Sequence, residues 1–401
     1  MGLNTRPKQL VLIAVSSLLG CAVALFLAEG MLLVLGVTSR LVYSPNPYYG
    51  WGHTADDRFF WTTESRELEV EINALGLRDH DYPYEKPEGI SRILVLGDSF
   101  PEALQVRLED GFSKVLEKAV NVGAPQPIEV INAGVSGYGT DNALLFFTHE
   151  GFKYSPDIVL LTFYVGNDVR NNWYPLEEQD SGEPRKPFYD IGPEGLTLRR
   201  YPFSRDEGWT ASVKTFLGRH LRLYAFSRDI WNRFGQRLFR AGRNNDTNGD
   251  VAGIPLDLPL FQREPPAMWD DAWQVTRAIL RELRSEVTRH GAQLFVVTVP
   301  TAFQVHPEIW EERLGANDSL RRIDWLLDHP NEYLSQVCKE EQIPILDLLP
   351  LMRNEARNTS SLLYFFRDNH WNESGHQFAA MRVAEALLPL VEESYGNGRD
   401  R

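Results

Sequence analysis

A serine, a histidine and an aspartate stand in this sequence where they could build one reaction centre. Ser99 closes the turn Gly97-Asp98-Ser99 directly after the apolar run Ile93-Leu94-Val95-Leu96, and Pro101 follows at once. A serine hydroxyl is a poor nucleophile until a base takes its proton. The base, an imidazole, needs a carboxylate to fix its tautomer and stabilise its charged form. Asp368-Asn369-His370 supplies both partners two positions apart. In an extended loop residues i and i+2 point the same way, so the Asp368 carboxylate is expected to meet Nδ1 of His370 while Nε2 faces Ser99. The chemistry would be acyl transfer through a covalent intermediate on Ser99.

Such a centre needs a rigid frame. The apolar strand at 92–96 is followed by an amphipathic helix over about 109–121, the strand "IEVINAG" at 128–134, a helix over about 140–151 and the strand "DIVLLTFYV" at 157–165. After a long interruption come a helix at 269–290, the strand "QLFVVTV" at 293–299, a helix over about 331–341, the strand "IPILDL" at 343–348 and a last helix at 373–393. Strands alternating with helices at this spacing predict an α/β fold, a doubly wound, mostly parallel sheet with helices on both faces in three flavodoxin-like layers. Upstream, "LEVEIN" at 68–73 alternates strictly and reads as a half-buried strand, whereas 40–66 has no clear period and reads as an irregular linker.

In doubly wound sheets the chemistry sits beyond the carboxyl ends of the strands. Those ends carry Gly97-Asp98-Ser99, Asn132-Ala133-Gly134 and Gly166-Asn167-Asp168, and the loop before the final helix carries Asp368-Asn369-His370. Four blocks in this order resemble the SGNH/GDSL hydrolase superfamily over 91–169 and 269–395. The resemblance implies Ser99, Asp368 and His370 as the catalytic triad, and the N–H groups of Ser99 and Gly134 with the Asn167 side-chain amide as the oxyanion hole. The superfamily's fourth block commonly has its aspartate three residues before the histidine; here that position is Arg367. A subset has Asp-x-His followed by Trp, as in Asp368-Asn369-His370-Trp371, and Asp347 is a rival orienter. Phe100 stands where the name motif has leucine and is expected to pack beneath the turn.

Other polar residues have plainer readings. Asp98 would brace its turn and Asp168 would be structural. His376 would pack inside the last helix, with Asn372 as that helix's cap. Ser136 in "GVSGYG" is a competing serine for which no base is placed. Asn73 and Arg78, in a stretch "NALGLRD" that also occurs upstream of the serine block in membrane-anchored relatives, would brace the domain through an ion pair. No metal site, Walker loop or dinucleotide fingerprint occurs, so no cofactor is expected.

Composition bounds the rest. With 401 residues and 43% hydrophobic content the chain can bury a large core, and its net charge of −14 argues against general nucleic-acid binding. Cys21 and Cys338 are too few for a disulfide framework. From Leu10 to Ala28 no side chain is charged, and Arg6 and Lys8 precede that stretch. A transmembrane anchor over 9–37 is expected, its 1–8 tail cytoplasmic and the remainder across the membrane. "LLGC" at 18–21 and Ala22-Val23-Ala24 loosely resemble processing signals, but cutting at either would leave "LFLAEGMLLVLGV" as an exposed terminus. An extension at 38–90 would lead into core 91–169, an insertion at 170–268, core 269–395 and a tail at 396–401.

The insertion's middle, 213–243, is amphipathic and basic. Val213, Leu217, Leu221, Tyr224, Trp231 and Leu238 gather on one side, and Arg219, Arg222, Arg233, Arg237 and Arg240 on another. It reads as a helix or helix pair packed on the core, or as a basic face against anionic headgroups or an anionic polysaccharide. The expected protein is a membrane-anchored serine hydrolase cleaving an ester, an O-acetyl or similar group on an envelope carbohydrate. An O-acyltransferase using the same triad and a non-catalytic scaffold or binding protein are the alternatives. The sequence carries no sign of an oligomeric state.

Overall fold

A computed structural model of the chain describes residues 6–35, 42–181, 186–193, 195–199, 213, 216–218, 221–228, 230 and 254–398. Its centre is one sheet of five parallel strands: β1 Ser91–Leu96, β2 Ile128–Asn132, β3 Ile158–Tyr164, β4 Gln293–Val299 and β5 Ile345–Asp347. Their order is β5-β4-β3-β1-β2, with Leu94 opposite Ile131 on one side and Val159 on the other. Every residue of β1 is buried, which is why the strand reads as an unbroken apolar run rather than an alternating one. The order reverses between β1 and β3, the switch point at whose carboxyl ends the functional residues of doubly wound sheets gather.

Helices cover both faces. Phe112–Asn121 packs with Glu373–Gly398, and Thr140–His149 packs with Met268–Arg289. In the last of these Trp269, Trp273, Thr276, Leu280, Leu283 and Val287 are buried, steps of three and four residues that set one stripe against the core. The doubly wound α/β architecture is therefore as the sequence predicts, with most element boundaries within two or three residues. Short helices at Ala302–Val305 and Pro307–Ala316 and a longer one at Leu348–Thr359 add to it.

The segment at 40–66 departs from the expected irregular linker. Tyr43–Asn46 and Gly50–His53 pair as strands, and Arg58–Thr62 pairs antiparallel with Glu67–Glu71, Phe59 opposite Val70. Leu68, Val70 and Ile72 are buried while Glu67, Glu69 and Glu71 are exposed, so the alternation in "LEVEIN" does mark one buried face.

The chain divides into two compact units, Met1–Ser44 with Ser204–Thr247, and Pro45–Phe203 with Asn248–Arg401. The stretch 170–268 is thus split between them. Its near end belongs to the larger unit: Phe188–Gly192 and Gly195–Arg199 form a hairpin, and buried Lys186 reaches the Asp141 carboxylate at 2.6 Å. Arg170 pairs with Asp257 at 2.7 Å, tying the two ends of the stretch inside that unit. In the smaller unit the helix Arg6–Val34 holds a 24-residue apolar stretch, Val11–Val34, long enough to cross a membrane. Arg219, Arg233, Arg237 and Arg240 of the basic face and Trp231 and Leu238 of the apolar one lie outside the described residues.

Candidate active site

The turn after β1 is shaped by two close approaches. A Cβ on Gly97 would stand 2.0 Å from Thr162 Oγ1, whose hydroxyl donates to the Leu96 carbonyl at 3.1 Å, so only glycine lets β1 bend there. Asp98 then caps the four-residue helix Ser99–Glu102, its Oδ1 accepting from the Phe100 N–H at 3.1 Å. Ala103 in a left-handed conformation ends that helix. The sequence reading of Asp98 as a brace fits this geometry. Burial pushes the Asp98 carboxyl up to about 6, against the opposing pull of the Phe100 N–H and of His370.

His370 reaches the serine from the loop before the last helix. Its Nε2 lies 2.7 Å from Ser99 Oγ, and its Nδ1 lies 2.5 Å from Asp368 Oδ1. With the Nδ1–H donating to the carboxylate, Nε2 is left to accept the serine O–H. The acid and the imidazole do not meet along an extended strand, as the spacing suggested. Asn369 has φ 63°, its N–H bonds to Phe365 O at 3.0 Å, and the loop turns back to bring the two side chains together. Asparagine tolerates that left-handed conformation. Burial alone would lower the His370 pKa. The Asp368 hydrogen bond and charge, with Asp98 and Glu102, outweigh it and hold the imidazole above its ordinary 6.5.

The three expected oxyanion donors have less uniform surroundings. Ser99 N–H sits at the first position of its helix, where an amide has no partner within the helix. Asn167 Nδ2 donates to Asp98 Oδ2 at 3.4 Å. Gly134 N–H donates to Asn132 Oδ1 at 3.1 Å, and a Cβ there would stand 2.6 Å from Glu102 N and 3.0 Å from Asp98 O. Its clearest contribution is close packing of the β2 loop against the nucleophile turn.

Asp347 is held elsewhere. It caps Leu348–Thr359, accepting from Leu349 N at 3.1 Å and from Asn331 Nδ2 at 2.9 Å. His376 is buried, and burial drives its pKa down to about 3. Asn372 Oδ1 accepts from Gly375 N at 3.0 Å, the capping bond expected of it. Phe100 is buried and its ring centre lies 5.1 Å from that of His370 and 5.0 Å from that of Trp371, a floor under the site. Among the described residues no three His, Cys, Asp or Glu side chains gather as a metal site.

Several supporting residues escape a sequence reading. Glu64, in the turn of the upstream hairpin, accepts from Asp368 N at 2.6 Å and from Arg367 N, and neighbouring Arg66 pairs with Glu373. Arg78 is nearly inaccessible and braces the nucleophile turn through backbone carbonyls: its guanidinium donates to those of Glu102 and Val106, each at 2.6 Å, and to that of Ala103. Arg78→Ala would strand buried carbonyls just after the nucleophile helix. A loss of about 3 kcal/mol or more is expected from the urea midpoint, with only partial recovery in Arg78→Lys, which lacks the fork. An unshifted midpoint would contradict the clamp.

Glu102 is the other hidden support. Its side chain is fully buried, 2.9 Å from His53 Nε2 and bonded to the Ser136 hydroxyl, so the serine that competed with Ser99 in the sequence donates to a carboxylate and not to an imidazole. Because Glu102 is one of the charges that raise His370, Glu102→Gln should move the acid limb of the pH–rate profile to lower pH while the amide keeps both contacts. A limb that stays put would limit Glu102 to packing.

The sheet order is that of a doubly wound α/β fold, and a family model described as "SGNH hydrolase-like domain, acetyltransferase AlgX" matches residues 262–398. Over those residues, about a third of its length, the chain is similar to SGNH hydrolase-like domains. The matched residues carry Asp368 and His370; Ser99, Gly134 and Asn167 lie before them. Over 163 residues the chain is 28% identical to the "Probable alginate O-acetylase AlgJ" of Pseudomonas putida, a match covering 40% of this chain and only 38% of that protein. Among solved structures, TesA is similar over 75% of this chain and 99% of its own, with 12% identity and a TM-score of 0.38. The acetyl xylan esterase AlAXEase is similar over 74% and 99%, with 13% identity and a TM-score of 0.39.

Proposed function

We propose that this protein is a membrane-anchored enzyme that forms an acyl-enzyme on Ser99 and removes an ester-linked acetyl or similar acyl group from an envelope carbohydrate. The observation that carries the reading is the continuous hydrogen-bonded line from Asp368 through His370 to Ser99, 2.5 Å and 2.7 Å long in its two steps. As Oγ attacks the ester carbonyl, its proton passes to His370 Nε2, and Asp368 stabilises the imidazolium. The negative charge on the former carbonyl oxygen falls to the Ser99 N–H and to the Asn167 amide, the latter turning from Asp98; Gly134 N–H joins them if it shares its bond to Asn132. Collapse breaks the ester C–O bond, and His370 returns the proton to the departing sugar oxygen. Water, deprotonated by the same imidazole, then releases the acid and restores the serine.

A second reading is transfer of the acyl group to another sugar hydroxyl in place of water. The words "acetyltransferase" and "O-acetylase" in the descriptions of the matched family and of the Pseudomonas protein support it. The anchor reading rests on Val11–Val34, with a mean hydropathy of 2.6, and the outward orientation on Arg6 and Lys8. Incubating the detergent-solubilised full chain with an activated acetyl ester, with and without an oligosaccharide acceptor, tests the reaction and separates its two forms. Free acetate in both arms supports hydrolysis, and acetylated oligosaccharide in the second supports transfer. Absence of both products sinks the enzyme reading in favour of a scaffold.

A further inference from the structure

Glu29 lies five residues before the end of the apolar stretch Val11–Val34. If that stretch spans a bilayer, the carboxylate stands inside the hydrocarbon edge by about one and a half helical turns. An acidic group at that depth is unfavourable unless both its oxygens are satisfied. Here they are. Oε1 accepts from Arg222 N at 2.7 Å and Oε2 from Leu223 N at 2.8 Å. These N–H groups open the helical stretch that starts at 222, and first-turn amides have no partner inside their own helix. The anchor's carboxylate therefore does the work of an N-cap for a segment 193 positions away.

The pairing fixes a depth. A backbone that bonds to Glu29 has to stand at the level of Glu29, and its neighbours come with it. Phe216, Leu221 and Ile230 are exposed by 59%, 41% and 40% of their surfaces, large apolar groups facing out of the same compact unit as the anchor. On the anchor itself most residues are open, whereas Glu29 is partly covered and Leu32, one turn on, is buried.

From these observations we infer that the described residues 216–218, 221–228 and 230 belong to a membrane-interface element, held by Glu29 at the hydrocarbon edge with Phe216, Leu221 and Ile230 in lipid. The inference rests on the anchor reading under Proposed function. It separates the two readings of this segment in favour of the bilayer, and it assigns the attachment to a backbone-to-carboxylate cap. Arginine charge in the segment is then an aid to headgroup contact rather than its cause.

The test uses the full chain in phospholipid nanodiscs, with Cys21→Ala removing the exposed thiol and buried Cys338 left in place. A nitroxide is attached in turn at Phe216→Cys, Ile230→Cys and, as a mid-span control, Leu19→Cys. Collisions with oxygen, which concentrates in lipid, are compared with collisions with a water-soluble nickel chelate. The expected result is oxygen-dominated relaxation at all three sites, with 216 and 230 inverting to nickel-dominated when Glu29→Leu is added and 19 unchanged. Nickel-dominated signals at 216 and 230 beside an oxygen-dominated 19 would overturn the inference and leave the anchor standing. A nickel-dominated 19 would remove the anchor and the inference together. Signals at 216 and 230 that ignore Glu29→Leu would overturn the cap.

Discussion

Ser99→Ala is expected to lower ester turnover by about 10³-fold or more while changing stability by no more than about 1 kcal/mol. The hydroxyl sits 2.7 Å from His370 Nε2, and the turn that carries it is fixed by groups the substitution leaves alone: the Asp98 cap, the Arg78 bonds to the following carbonyls and the Gly97 bend against Thr162. Removing one oxygen thus deletes the nucleophile without releasing its support. Initial rates on an activated acetyl ester and a urea titration of the same preparation give both numbers. More than about a tenth of wild-type turnover in a folded variant would mean that another group attacks, since loss of a covalent nucleophile costs far more than tenfold. Phosphonate labelling mapped to the peptide that contains Ser99 is an independent check.

What was legible in the sequence follows the range of the interactions. The apolar runs of β1, β3 and β4 announce buried strands because every side chain in them faces a covered surface, and the stripe from Trp269 to Val287 announces its helix by spacing alone. Gly97, Ser99, Asn167 and His370 stood out for a similar reason, since each lies just past a strand or just before a helix. Strands of four or five residues such as Tyr43–Asn46 and Gly50–His53 are too short for a period, and their aromatic, proline-rich makeup hid them. The turn at Asn369 was missed because spacing of two gives no information on φ.

Least legible were the supports. Glu64 holds Asp368 from 304 positions away and Ser136 reaches Glu102 across 34. Local propensity contains nothing that pairs a particular carboxylate with a particular backbone at such range. The carbonyl clamp of Arg78 was hidden for a related reason: a buried guanidinium can be satisfied by carbonyl oxygens as well as by an acid, and only the fold brought the carbonyls of 102, 103 and 106 around it.

The two aspartates that competed in the sequence now call for opposite outcomes. Asp368→Asn should lower turnover by about 10²- to 10⁴-fold, because an amide can present its N–H to Nδ1 and leave the imidazole in the tautomer that cannot accept the serine proton. Asp347→Asn should leave turnover near wild type and reduce stability by about 1 kcal/mol at most, since asparagine still caps Leu348–Thr359. The pH profile supplies a second readout with a definite sign. His370 must be neutral to act as base, and its pKa is held above 6.5, so activity should fall as pH drops through a midpoint above 6.5. Burial acts in the other direction, and the Asp368 hydrogen bond and charge are the leading influences that overcome it. Without them the imidazole protonates at lower pH, and whatever activity Asp368→Asn retains should persist further into acid than the wild type's. Asp347→Asn should leave the limb where it is. If Asp347→Asn instead abolishes turnover and moves the limb while Asp368→Asn does neither, then the hydrogen bond from His370 to Asp368 is not the one the reaction uses.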